Sequence, residues 1–96
     1  MIMPERNIDR KAKELFIKTL AELKKEDDIL MFLENLYSSS EVKDHSRRLL
    51  AAKMLIEGST YEDIALVMGM GTGTINKIHF KTKGSPLLNK LFKERQ

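Results

Sequence analysis

The 96-residue sequence contains no cysteine, and its proline and glycine counts are only two and five. The absence of cysteine excludes disulfide frameworks, thiolate zinc sites and cysteine nucleophiles. Apolar runs extend over only a few residues, too few for a membrane-spanning helix, and the first residues lack the apolar core of a signal peptide. We therefore predict a cytoplasmic protein with no membrane partner.

Patterns that support catalysis or cofactor binding are also missing from the sequence. His45 and His79 have neither a second ligand at helical spacing nor a ligand cluster around them. The serines at positions 38–40 lack a nucleophile-elbow context, and no glycine-rich phosphate loop follows a strand. The sequence predicts no catalytic residue, no metal site, no cofactor and no enzymatic activity.

Acidic side chains become rare toward the C-terminal end. Residues 1–69 carry 11 basic and 13 acidic side chains, whereas residues 70–96 carry six basic side chains and a single acidic one, Glu94. This distribution is typical of proteins that contact a phosphate backbone, although a solvated basic tail gives the same pattern.

Hydrophobic spacing predicts an all-α protein of about six helices that forms a single domain over residues 1–96. The first two helices are expected over residues 5–24 and 27–37. The second contains the run 29–33, which is apolar almost all round and must therefore be covered on more than one side. A second subunit and the remainder of one monomer both supply such cover, and spacing alone does not choose between them.

The third helix is marked by signals at both of its ends. A capping box begins at Ser38, and Gly58 follows the last helical residue. Within this helix we expect Leu49 and Ala52 to face inward and Arg47 to face outward.

Residues 61–80 fit a helix-turn-helix. Thr60 caps the first helix of the motif, Gly69 lies at the turn, where a positive φ is commonly required, and the second helix is expected over residues 72–81. Ser85 and Pro86 then begin a last helix. The apolar seam between the two helices of the motif and the core is expected to contain Ile64, Met68, Met70, Ile75 and Ile78. An ordinary αα-corner is the alternative interpretation of this segment.

The second helix of the motif exposes short or polar side chains, which fit the major groove of double-stranded DNA. We expect its lysines to contact phosphates, its hydroxyl and amide side chains to contact base edges directly or through water, and its glycines to expose backbone N–H groups to a phosphate. The candidate lysines are Lys77, Lys81 and Lys83, and the candidate hydroxyl and amide residues are Thr72, Thr74 and Asn76. The candidate glycines are Gly71 and Gly73.

The segment Leu50–Ala65, followed by the segment Gly69–Lys77, resembles the Trp repressor superfamily and most closely its YerC/YecD branch. The resemblance extends over about residues 27–92 and includes Pro86 at the start of the last helix. It implies a transcriptional regulator, expected to be a repressor rather than an activator, that binds DNA as an intertwined homodimer with two reading heads on successive major grooves. The implied segments are dimerisation helices over residues 1–58, a helix-turn-helix over residues 60–82 and a C-terminal helix over residues 86–96.

The tryptophan-sensing members of this superfamily hold the amino acid between two arginines, beside a hydroxyl side chain. The matching positions here are Arg48, Lys77 and Ser38, which the resemblance implies as an effector pocket. A lysine does not stack on an indole as a guanidinium does, and Ile78 replaces a glycine that leaves room for the ligand. We therefore expect binding of L-tryptophan to be weak or absent, and we expect Arg48 to pair with a carboxylate such as Asp44.

A helical protein–protein interaction module that does not bind DNA is the alternative function. The apolar second helix and the apolar side chains of the sixth helix, among them Leu87 and Leu91, provide faces that fit a partner protein.

Overall fold

The computed structural model describes residues 6–93, which form six α-helices. The helices are α1 (Ile8–Glu22), α2 (Glu26–Leu36), α3 (Ser39–Ile56), α4 (Tyr61–Met68), α5 (Thr72–Thr82) and α6 (Pro86–Phe92). The predicted all-α fold is confirmed for this part of the chain. The predicted helical residue Glu5 and the predicted extension of α6 from residue 94 to 96 lie outside the described residues.

The chain divides into two compact units at the junction between Ser38 and Ser39. The first unit contains α1 and α2, and the second contains α3 to α6. The single domain expected over residues 1–96 stays a prediction. None of the helices over residues 6–93 is both long and apolar enough to cross a membrane.

Aromatic rings contact one another in the first unit. The ring of Phe16 in α1 lies 5.8 Å from that of Phe32 in α2 and 6.4 Å from that of Tyr37, centroid to centroid. Neither α1 nor α2 contains a buried residue. Exposed large apolar side chains of these two helices are Ile8, Leu15, Ile17, Leu30, Met31 and Leu36.

The second unit has a small apolar core, to which α3, α4 and α5 each contribute two residues. The alanines of α3 are small, so the other two helices can approach its backbone closely. The six core residues are Ala51, Ala52, Ile64, Met68, Ile75 and Ile78, all at most 8% exposed. Four of the five predicted seam residues are therefore buried, while the fifth, Met70, is half-buried against the same core.

The predicted helix ends are confirmed at four positions. The Thr60 hydroxyl accepts a hydrogen bond from the Asp63 N–H at 3.1 Å, and the Ser85 hydroxyl accepts one from the Leu88 N–H at 3.2 Å. Gly58 and Gly69 follow α3 and α4 with φ of 96° and 61°. These left-handed conformations favour glycine, because it has no Cβ.

Two predicted side-chain orientations on α3 are wrong. Leu49, which was expected inward, is 51% exposed. Arg47, which was expected outward, is half-buried, and its guanidinium donates a hydrogen bond to the carbonyl of Met68. Met68 is the last residue of α4, where carbonyl groups lack helical partners and the helix dipole favours a cation. The Arg47 side chain is long enough to reach this helix end, and this contact explains why it is half-buried instead of facing outward.

Alanine substitution is expected to have opposite effects at Gly69 and Gly73. Gly69→Ala places a Cβ at φ 61° and should destabilise the fold by about 1–2 kcal/mol. Gly73 lies within α5, and a Cβ there meets no heavy atom within 4 Å, so Gly73→Ala should stabilise the fold by about 0.5–1 kcal/mol. Urea denaturation of both variants measures the two changes in the free energy of unfolding, and changes of the same sign would contradict this prediction.

Candidate nucleic-acid interface

The helices α4 and α5 form a closely connected pair. Three residues, Gly69, Met70 and Gly71, join the end of α4 to the start of α5. The left-handed Gly69 turns the chain, and the Met70 N–H donates to the Ala65 carbonyl at 3.3 Å. A short connection of this kind, containing a glycine, is what a helix-turn-helix requires.

The outer face of α5 is separate from the face that packs into the core. Ile75 and Ile78 point into the core and are 0% and 8% exposed, whereas their neighbours Asn76 and Lys77 are exposed. All eight predicted DNA-binding residues occupy exposed positions: Gly71, Thr72, Gly73, Thr74, Asn76, Lys77, Lys81 and Lys83. Their contact with DNA stays a prediction.

The N-terminus of α5 favours an anion. Gly71 is the N-cap residue, and no side chain accepts a hydrogen bond from the first-turn N–H groups there. The first turn of α5 contains no acidic residue. Unpaired N–H groups and the positive end of the helix dipole therefore lie together at an exposed helix end.

The lysines of this surface are not neutralised by carboxylates. Lys77 and Lys81 lie one turn apart on α5, and Lys83 follows the end of the helix. Among residues 6–93, none of these three lysines forms an ion pair, and no acidic residue occurs between positions 70 and 93. Their charges remain available to an anionic partner.

A polar network connects α4 to the exposed face of α5. The hydroxyl of Tyr61, the first residue of α4, lies 3.2 Å from Asn76 Oδ1 and 2.7 Å from His79 Nδ1. The rings of Tyr61 and His79 meet edge to face, with centroids 5.6 Å apart. Of the three residues, only Asn76 was predicted as a site residue. Tyr61 was missed, because its relation to residues 15 and 18 positions later depends on how α4 packs against α5.

A cleft of about 560 Å³ lies beside the lysines, between α3, α5 and α6. Two of the three predicted effector residues, Arg48 and Lys77, line it together with Ile78. The third, Ser38, belongs to the other compact unit. Within the described residues, no ion pair joins Arg48 to Asp44, so the expected pair is not formed.

L-tryptophan is expected to leave the melting temperature unchanged at millimolar concentration. A ligand that binds only the folded protein raises the melting temperature by mass action. Here the cleft presents an ammonium group at Lys77 in place of a planar guanidinium, and Ile78 occupies its wall. Thermal denaturation with and without the amino acid measures the shift. A rise of several degrees that Arg48→Ala abolishes would contradict the prediction.

Residues 6–93 contain no group of three or more histidine and carboxylate side chains able to hold a metal ion.

Two comparisons of the sequence with known proteins give matches. The family model described as "Trp repressor protein" matches residues 11–94. The chain is also similar to the uncharacterized protein YerC of Bacillus subtilis (strain 168), with 31% identity over 70 residues, which cover 71% of this chain and 67% of YerC. No solved structure matches the chain significantly.

Proposed function

Because the chain belongs to the Trp repressor family, we propose that it is a transcriptional regulator that binds specific sequences in double-stranded DNA through α4 and α5. The observation that carries this proposal is the two-sided character of α5. Its inner face is held by Ile75 and Ile78, while its outer face is exposed, basic and free of acidic residues. The family is one of regulators rather than enzymes, and its description favours repression.

We propose that α5 enters the major groove with its N-terminal turn first. In this arrangement, a phosphate binds the free N–H groups after Gly71, and Lys77, Lys81 and Lys83 bind phosphates along the backbone. Thr72, Thr74 and Asn76, being exposed near the start of the helix, are then closest to base edges.

We also propose that the protein acts as a homodimer. The exposed apolar side chains of α1 and α2 support this, since neither helix has a buried residue. A second copy of the chain covers such faces without any further protein being required. In such a dimer, the two recognition helices are expected to lie about 34 Å apart, which is one turn of DNA.

A fluorescence titration of duplex DNA at several salt concentrations tests DNA binding. The logarithm of the binding constant should fall linearly with the logarithm of the salt concentration, because lysine–phosphate contacts release counterions. An affinity that does not depend on salt, or no affinity at all, would overturn the proposal. In that case, a protein partner retained after nuclease treatment would favour an interaction module.

Sedimentation equilibrium tests the dimer separately. The expected mass is twice the 11.1 kDa of one chain. A monomer at micromolar concentration, both with and without DNA, would overturn the paired arrangement of recognition helices.

A further inference from the structure

Hydrogen bonding around Tyr61 restricts how the Asn76 side chain is oriented. A tyrosine hydroxyl has one proton to donate. Tyr61 donates it to Asn76 Oδ1 at 3.2 Å, and its oxygen lies 2.7 Å from His79 Nδ1. If the tyrosine proton is donated to Asn76, the 2.7 Å contact is a hydrogen bond only when His79 carries its proton on Nδ1. The three side chains then form a relay that runs from His79 through Tyr61 to Asn76.

We propose that this relay makes Asn76 a reader of hydrogen-bond acceptors on DNA bases, with Tyr61 and His79 as its positioning residues. The inference rests on the proposed DNA-binding function and adds a base class to it. Tyr61 and His79 are half-buried, whereas Asn76 is exposed, so the amide is anchored on its inner side and open on its outer side. With Oδ1 directed at Tyr61, the Nδ2 donor is the group left for a base.

Each base presents different hydrogen-bonding groups in the major groove, so this orientation of the Asn76 amide implies a base preference. Guanine presents two adjacent acceptors there, N7 and O6, whereas adenine presents the acceptor N7 beside the donor N6 and thymine presents one acceptor, O4. The usual contact of asparagine with adenine is bidentate, because the oxygen accepts from N6 while the nitrogen donates to N7. When Asn76 Oδ1 points at Tyr61, the side chain cannot present its oxygen and its nitrogen together to the same adenine. The Nδ2 donor meets acceptors at both atoms of the guanine edge but only at N7 of adenine, so Asn76 prefers guanine to adenine at the base that it contacts.

Selection from a randomised duplex library tests the base preference with four proteins. The wild-type chain should enrich guanine over adenine by at least about fivefold at one position of its site. Asn76→Ala should remove the preference at that position and retain it elsewhere. Tyr61→Phe releases Oδ1 and should shift the same position toward adenine. The matched control, Tyr37→Phe, removes the only other tyrosine hydroxyl and should leave the preference unchanged.

Two results of the selection would overturn the inference. One is an adenine preference of the wild-type chain at the position that Asn76→Ala affects. The other is a Tyr61→Phe preference identical to that of the wild type, since the hydroxyl would then have no part in orienting the amide.

Nitrogen NMR of the histidine rings tests the relay without DNA. We expect His79 to carry its proton on Nδ1 in the wild type and to lose this restriction in Tyr61→Phe. A neutral His79 protonated only on Nε2 would overturn the relay, because Tyr61 would then donate to histidine and the Asn76 amide would be reversed. If the library enriches no sequence, the proposed function and the base-reading role both fail, while the His79 spectrum still decides the relay.

Discussion

Replacing Lys77, Lys81 and Lys83 together by alanine is expected to weaken DNA binding by about 100- to 1,000-fold per recognition helix at 0.1 M salt. The same variant should have a shallower salt dependence, because each phosphate contact contributes about 0.9 to the slope of log K against log salt. Three lost contacts in each protomer therefore reduce the slope by nearly three per recognition helix, and by about five for the proposed dimer. A fluorescence titration at four or five salt concentrations measures both quantities.

The size of this effect follows from the environment of the three lysines. They are exposed, and none is paired with a carboxylate in the described part of the chain. A phosphate therefore does not have to displace a competing anion. The substitutions also leave the core untouched, since it consists of other side chains of α3, α4 and α5.

A charge-matched control separates local contacts from the net charge of the chain. Lys13, Lys18 and Lys24 are also exposed, but they belong to the first compact unit. Their joint replacement by alanine changes the net charge equally and is expected to alter the affinity only slightly. Equal losses of affinity in the two triple variants would show that the loss follows from the net charge of the chain. The assignment of Lys77, Lys81 and Lys83 as phosphate contacts would then be wrong.

The second large effect is expected at Ile75, where alanine should lower the free energy of unfolding by about 2–5 kcal/mol. Ile75 is 0% exposed and belongs to the core shared by α3, α4 and α5. Truncation removes three methyl or methylene groups from that core and leaves a cavity that alanines 51 and 52 are too small to fill. Small domains have only a modest free energy of unfolding, so a loss of this size removes much of it.

Urea denaturation at a fixed protein concentration measures this change, because the stability of a dimer depends on concentration. Leu66 in α4 provides the control. It is 85% exposed, so Leu66→Ala should change the free energy of unfolding by no more than about 0.5 kcal/mol. A loss at Ile75 no larger than that at Leu66 would mean that α5 is not anchored by its inner face, and the two-sided character of α5 would then have no structural basis.

The helices α4 and α5 and the turn between them were predictable from the sequence because their signals are local. Thr60 and Gly69 mark the ends of α4, and the burial of Ile64 and Ile75 follows from helical spacing. Such features depend on residues a few positions apart, whose geometry is fixed once the helix forms. The exposure of the predicted DNA-binding residues follows from the same periodicity.

Contacts between distant residues were not predictable in this way. Arg47 reaches a carbonyl 21 positions later, and Tyr61 meets partners 15 and 18 positions later. These contacts depend on how neighbouring helices pack, which spacing along one helix does not determine. The exposure of Leu49 has the same origin, because it depends on which part of α3 the neighbouring helices cover.

The open space around Gly71 and Gly73 has an evolutionary consequence. Neither position has a heavy atom within 4 Å of an added Cβ, and neither has a positive φ. A new side chain at either position therefore leaves the core intact while it changes the surface beside the proposed base-reading residues. If α5 binds DNA as proposed, single substitutions at these two glycines can therefore change the target sequence while the fold is retained.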